Sequence, residues 1–230
     1  MRRWIAPAPL GLRGLRDGKM IRHIFWDFDG TLFDTYPAMA SAYQKALADG
    51  FGIQEEACAI EGHMRVSMGH MFVHYAQKHS LPAYLPLFDA YQKEAEVRLT
   101  KPYPAIPTLL RSLCGKGIKL YIYTHRDAAS TEAHLQKHGL YDVFTDILTV
   151  DSGFPRKPDP QALLHMLGKH GISPAEALMV GDRELDVLAA KNAGMYACLY
   201  TADAKSPSAA DYRLGDFALF GACVADLPME

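Results

Sequence analysis

Two pairs of aspartates, one threonine and one lysine carry most of the chemical information in this chain. Asp27 and Asp29 stand two residues apart in WDFDGT, and Asp182 and Asp186 four apart in GDRELD. Thr124 follows the apolar run IKLYIY, and Lys157 lies in RKPDP. Three or four carboxylates with one cation and one hydroxyl are what a Mg²⁺-dependent phosphoryl-transfer centre needs. Two nearby carboxylates do not ionise independently, because each anion raises the other's pKa while a bound cation or lysine favours the ionised form. One of Asp27 and Asp29 can therefore stay an anionic nucleophile while the other carries a proton for a leaving oxygen. Asp182 and Asp186 fall within one helical turn, where both can face the same ion. Each feature alone has an ordinary reading: an acidic turn, a charged helix start, a helix cap, a surface lysine. Their order at successive strand ends favours a common site.

Four runs must position these groups: IRHIFW before Asp27, IKLYIY before Thr124, DILTV a short loop before Lys157, and ALMV before Gly181 and Asp182. In a parallel sheet all four ends meet along one rim. From residue 101 onward such runs alternate with amphipathic stretches, which predicts a doubly wound α/β sheet. Helices are expected from Pro107 through TLLRSLCGK to Gly117 and from about Ala128 to near Gly139. Two more are expected through QALLHMLGK, opened by Pro158 and Pro160 and ended by Gly171, and through ELDVLAAKN, ended by Gly194. MYACLY is a further strand.

Residues 36–99 break this rhythm with helix-like apolar spacing and no convincing buried strand. Tyr84, Phe88 and Tyr91 form one helical series, and Met64, Met68, Met71, Phe72 and Tyr75 another, each suited to core packing. The expected division is an α/β core of residues 20–35 and 100–230, a helical insertion of residues 36–99, and a disordered, dispensable extension of residues 1–19. Linkers at residues 34–37 and 101–104 make a hinge plausible.

The 230-residue chain is 49% apolar and 22% charged, with formal charge −2 and pI near 6.5. That balance gives no broad attraction to nucleic acid or anionic membranes, so a small-molecule partner is expected. Cys58, Cys114, Cys198 and Cys223 lie far apart, which predicts reduced packing thiols in a cytoplasmic protein. No apolar stretch reaches the roughly 18 residues of a membrane span, and the leader lacks the continuous apolar segment of a signal peptide.

From Met20 onward the chain resembles the haloacid dehalogenase superfamily of aspartyl-nucleophile hydrolases, in the branch of phosphoglycolate phosphatases and β-phosphoglucomutases. HIFWDFDGTLFDT matches that family's first motif, Thr124 its second, Lys157 its third and GDRELD its fourth, and the insertion stands where the branch carries a helical cap domain. The resemblance implies a Rossmann-like core and a phosphatase acting on a small phosphorylated metabolite. It implies that Asp27 attacks phosphorus to form an aspartyl phosphate and that Asp29 protonates the leaving alcohol, then activates water. Mg²⁺ would be held by the Asp27 carboxylate, the Asp29 backbone carbonyl and Asp182, with Asp186 ligating through water or orienting that shell. Thr124 and Lys157 would bind the transferring group, joined by the backbone N–H of His125, whose ring is free to face solvent. The resemblance further implies that Arg65 and Ser67, in HMRVSMG, lie in a cap loop where related enzymes read substrate, with a surface salt bridge as the competing reading of Arg65.

Other readings compete. A dehalogenase needs no protonated leaving alkoxide, so Asp29 with Asp182 argues against one. A β-phosphoglucomutase-like mutase carries a cap histidine where this chain reads DTYPAMASAY, and Met39 and its neighbours cannot transfer a proton. A receiver-like phosphoacceptor module would use similar groups, but a large insertion after Asp29 suits a lid better. His70 and His74 have the i, i+4 spacing of a transition-metal pair, yet no third ligand is evident nearby and their segment reads as an apolar helix. Arg126 could contact substrate but reads first as a helix-start cation, and Asp34 as a cap or hinge residue.

Overall fold

In chain order the elements are β1 (His23–Trp26), β2 (Phe33–Asp34), α1 (Tyr36–Phe51), α2 (Ala57–Val66), α3 (Met68–His79), α4 (Pro86–Leu99), β3 (Lys101–Pro102) and α5 (Ile106–Gly115). There follow β4 (Lys119–Tyr123), α6 (Ala128–Lys137), β5 (Asp146–Leu148), α7 (Gln161–His170), β6 (Ala177–Gly181), α8 (Glu184–Asn192), β7 (Tyr196–Tyr200) and β8 (Tyr212–Leu214). The computed structural model describes residues 21–82, 85–201, 207–218 and 220. The expected leader at residues 1–19, together with Tyr84 and Cys223, lies outside them. Contacts divide the chain into two units, Phe33–Lys101 and the remainder.

In the larger unit six parallel strands run in the order β5-β4-β1-β6-β7-β8. Strand β1 is hydrogen-bonded on both edges, Trp26 facing Ile122 of β4 and Val180 of β6. A strand covered on both edges and faces must be apolar throughout, which is why HIFW and ALMVG show no alternation. Phe25 and Tyr121 stack at 4.6 Å between ring centres, within a core that includes Leu163, Met166, Met179 and Val187. The order reverses at β1: β4 and β5 lie to one side, β6, β7 and β8 to the other. In open α/β sheets that reversal leaves a crevice at the carboxyl ends of the strands, where ligands bind. The fold is therefore the expected α/β, Rossmann-like, doubly wound parallel sheet.

Glycine and proline punctuation places most helices. Helix α7 ends at Gly171, whose φ of 64° closes the last turn. Helix α6 begins at Asp127, whose Oδ1 accepts from the Ser130 N–H at 2.8 Å. Strand β5 is shorter than the run DILTV, because Val150–Ser152 turns into a 3₁₀ helix. Strand β8 was not expected: YRL offers too short an apolar signal, but it pairs with β7 from Cys198 to Tyr200.

The smaller unit is helical, with α1 packed on α2 and α4 and α2 on α3. Its core gathers Tyr43, Met64, Met71, Tyr75 and Phe88, and Tyr43 meets Phe88 edge-on at 5.4 Å. The methionine series spans two helices instead of one. Ser67 interrupts it in extended backbone (φ −171°, ψ 158°), and its Oγ accepts from the His70 N–H at 2.9 Å to start α3. His63 of α2 is held below the ordinary histidine range by partial burial, then by the imidazoles of His74 and His70. The linkers are not free strings: β2 and β3 pair into a two-stranded ribbon.

Cys198 is buried in β7 and Cys114 half-buried, as packing thiols should be, whereas Cys58 is exposed. No helix of the described residues is long and apolar enough to cross a membrane.

Candidate active site

Asp27 is the first residue beyond β1, and its N–H donates to the Val180 carbonyl at 2.9 Å, extending the sheet by one bond. Its carboxylate is 1% exposed. Oδ1 accepts from Lys157 Nζ at 2.5 Å, and Oδ2 is buried without a hydrogen-bond partner. The same ammonium donates to Asp186 Oδ1 at 2.7 Å and lies 4.6 Å from the centre of the Tyr123 ring. Asp186 Oδ2 in turn accepts from the Arg183 N–H at 3.1 Å. A fully buried lysine thus bridges two aspartates, one from the end of β1 and one from the first turn of α8, the helix that follows β6.

The charges are unequal. Burial pushes Asp27 up to about 6 despite Lys157. Burial also acts against ionised Asp186, but Lys157 and Arg183 outweigh it and hold that acid below the usual range. Lys157 is held charged, the two aspartates overcoming its burial.

Oxygens of Asp27, Asp182 and Asp186 lie within 4.8 Å of one another. All three donors are hard carboxylate oxygens, and the Asp27 Oδ2 atom is buried with nothing to bind. That combination suits a hard divalent cation such as Mg²⁺ better than a soft ion. The Asp29 side chain is not in this group.

Gly181 makes the arrangement sterically possible. A methyl group on it would overlap the Cβ and carboxylate of Asp186. Gly181→Ala should displace Asp186 from Lys157, costing about 1–3 kcal/mol of stability, which urea unfolding would measure.

Asp29 is engaged elsewhere. Arg126 grips its Oδ1 through Nη2 at 2.6 Å and Nε at 3.2 Å. Arg126 is 8% exposed, donates to Ser130 Oγ at 2.7 Å and lies 5.3 Å from the Phe28 ring centre. It is not the idle helix-start cation that its position suggested. Gly30, at φ 74°, supplies the left-handed turn that directly follows Asp29.

Thr124 closes β4, buried, and its Oγ1 accepts from the Arg126 N–H at 3.1 Å. The hydroxyl proton is not used by that bond. The His125 ring turns inward instead of facing solvent, Nε2 accepting from the Lys157 N–H at 2.9 Å. Burial, then the cations Lys157, Arg156 and Arg183, push His125 down from 6.5 to about 3. A neutral ring suits an acceptor. Between those values the unfolded chain binds a proton that the native state refuses, so stability falls as pH drops below 6.5. His125 alone contributes a slope of at most about 1.4 kcal/mol per pH unit. In urea melts from pH 7 to 4.5, His125→Gln should flatten that acid limb, and an unchanged slope would contradict the assignment.

Arg65 and Ser67 belong to the smaller unit. Arg65 pairs with Glu61 at 2.6 Å and lies 4.4 Å from the Tyr36 ring centre, while Ser67 caps α3.

Residues 24–200 match the family model described as haloacid dehalogenase-like hydrolase. The chain belongs to this family. The hydrolase is 35% identical over 193 residues to the phosphoglycolate phosphatase of Vibrio cholerae, a match covering 77% of this chain and 83% of that relative. It is 36% identical over 186 residues to the phosphoglycolate phosphatase of Vibrio vulnificus, covering 76% of this chain and 81% of the other. Among solved structures, a HAD-superfamily hydrolase of subfamily IA from Geobacter sulfurreducens superimposes with a TM-score of 0.65 at 26% identity, over 85% of this chain and 95% of its own. The hydrolase is a phosphatase of this family.

Proposed function

We propose that this phosphatase is Mg²⁺-dependent and cleaves a small phosphorylated metabolite, of the phosphoglycolate or sugar-phosphate kind, through an aspartyl phosphate on Asp27. The observation that carries the proposal is the buried Asp27 carboxylate, one oxygen on Lys157 and the other unpartnered, clustered with Asp182 and Asp186. Two relatives named phosphoglycolate phosphatase support the substrate class.

In this reading Asp27 attacks phosphorus, the ester P–O bond breaks, and Asp29 gives its proton to the departing alkoxide. Asp29 then takes a proton from water as that water attacks phosphorus and frees Asp27. For this Asp29 must exchange its bond to Arg126 for one to the substrate. The Thr124 hydroxyl, the His125 N–H and the Lys157 ammonium hold the non-bridging oxygens, positioning and neutralising the group in transfer. The Asp27, Asp182 and Asp186 carboxylates, with the Asp29 backbone carbonyl, would hold Mg²⁺. When bound it supplies further charge neutralisation at phosphorus. We assign the chemistry to a core of residues 20–35 and 100–230 and substrate selection to a cap of residues 36–99, with Arg65 and Ser67 as its reading residues. Arg65 would leave Glu61 to take a carboxylate or second phosphate bidentately.

A phosphate-release screen across phosphorylated metabolites, with Asp27→Asn as the blank, tests the proposal. Turnover on a few small monoesters, lost with chelator and restored by Mg²⁺, is expected. Hexose phosphate interconversion without phosphate release, or a long-lived phosphoprotein without turnover on any ester, would overturn it.

A further inference from the structure

The structure sets a third imidazole, that of His63, beside the His70 and His74 pair. Helix α2 ends and α3 begins at Ser67, so His63, seven residues before His70, returns alongside α3. His63 Nδ1 lies 3.2 Å from His70 Nε2. Two nitrogens bound to one tetrahedral ion at 2.0–2.1 Å must themselves stand ~3.3 Å apart. The observed pair, hydrogen-bonded to each other, stands close to that separation. His74, one turn beyond His70 on α3, stacks on the His63 ring at 3.8 Å between centres and 23° between planes. The His70 and His74 rings are 6.5 Å apart, so the site requires the His74 side chain to rotate toward the pair.

Tyr75 backs the cluster. It is buried, and meets His63 edge-on at 5.7 Å and His74 at 4.9 Å. His70 is exposed and His63 and His74 are half-buried, leaving the group open to an entering ion. Three imidazoles without a carboxylate in the set select borderline ions such as Zn²⁺, Co²⁺, Ni²⁺ or Cu²⁺ over Mg²⁺. The chemistry thus differs from that of the aspartate cluster in the other unit.

We propose that His63, His70 and His74 form a transition-metal site that ties α2 to α3, with the remaining coordination position taken by water. Binding to the folded form alone stabilises it by mass action, so the ion should raise the melting temperature. The proposal stands apart from the phosphatase assignment and uses none of its residues.

Zn²⁺ calorimetry and Co²⁺ absorption on the full chain test it, with the His63→Ala/His70→Ala/His74→Ala triple variant and Asp182→Asn compared with the parent. The expected result is one Zn²⁺ per chain, and one Co²⁺ with the strong visible bands of a four-coordinate nitrogen site, both lost in the triple variant and kept in Asp182→Asn. His70→Ala, at an exposed position that leaves the fold undisturbed, should alone weaken Zn²⁺ at least tenfold and abolish the melting shift. Equal stoichiometry and spectrum in the triple variant, or Zn²⁺ affinity within twofold of the parent in His70→Ala, would overturn it.

Discussion

Asp27→Asn should lower kcat/KM by about 10³-fold or more while the protein still unfolds cooperatively. The amide keeps the size of the carboxylate but cannot attack phosphorus as an anion. The fold tolerates the change because Lys157 retains Asp186 at 2.7 Å as a counter-ion. Burial holds the Asp27 carboxyl up near 6, so above that pH its ionisation weighs against the native state when no cation is bound. The amide removes that opposition and with it one partner of Lys157. These changes oppose each other, and stability should stay within about 1 kcal/mol of the parent. Steady-state rates and urea unfolding on one sample separate the two effects. Substantial hydrolysis by a pure, folded variant would reject Asp27 as the nucleophile.

Lys157→Met has the opposite profile, a large loss of stability together with loss of activity. It leaves Asp27 and Asp186 buried around an apolar group, and breaking a buried ion pair from one side costs about 3–5 kcal/mol. The sign of the pH dependence follows. Without the ammonium Asp27 rises further and Asp186 loses the main charge that holds it down, so the folded variant takes up a proton that the parent does not, and the deficit narrows as pH falls. Urea melts should show the full gap at pH 7.5 and a smaller one at pH 5.5. A gap below about 1 kcal/mol at the higher pH, with no change at the lower, would contradict the charge arrangement.

Local punctuation explains how much of the fold was legible. ELDVLAAKN reads as a helix because Gly194 ends it, and α8 spans those residues as Glu184–Asn192. Runs such as HIFW and ALMVG read as central strands because they are apolar on both faces. Tyr212–Leu214 was missed because three residues carry no period. The break at Ser67 was hidden by methionine spacing that continues through it, although a serine three residues before the N–H it caps is a usable signal. For the site, residue types at strand ends suggested the aspartates, Thr124 and Lys157 as one group, and the structure places Asp27, Lys157, Asp182 and Asp186 together. Partners remote in sequence were not readable. Arg126 meets Asp29 across 97 positions, and the Lys157 N–H meets His125 across 32. No periodicity encodes either contact. Nor does composition reveal that Gly181 is small because Asp186 fills the space beside it.

Covalent capture at residue 27 tests the central claim most directly. With p-nitrophenyl phosphate the leaving group needs no protonation, so Asp29→Asn should still allow the first displacement and stall the second. Rapid mixing should give a burst of one p-nitrophenolate per chain, and borohydride reduction of the quenched protein should convert residue 27 to homoserine, read by peptide mass spectrometry. A burst with homoserine at another acid, or with residue 27 unmodified, would contradict nucleophilic attack by Asp27.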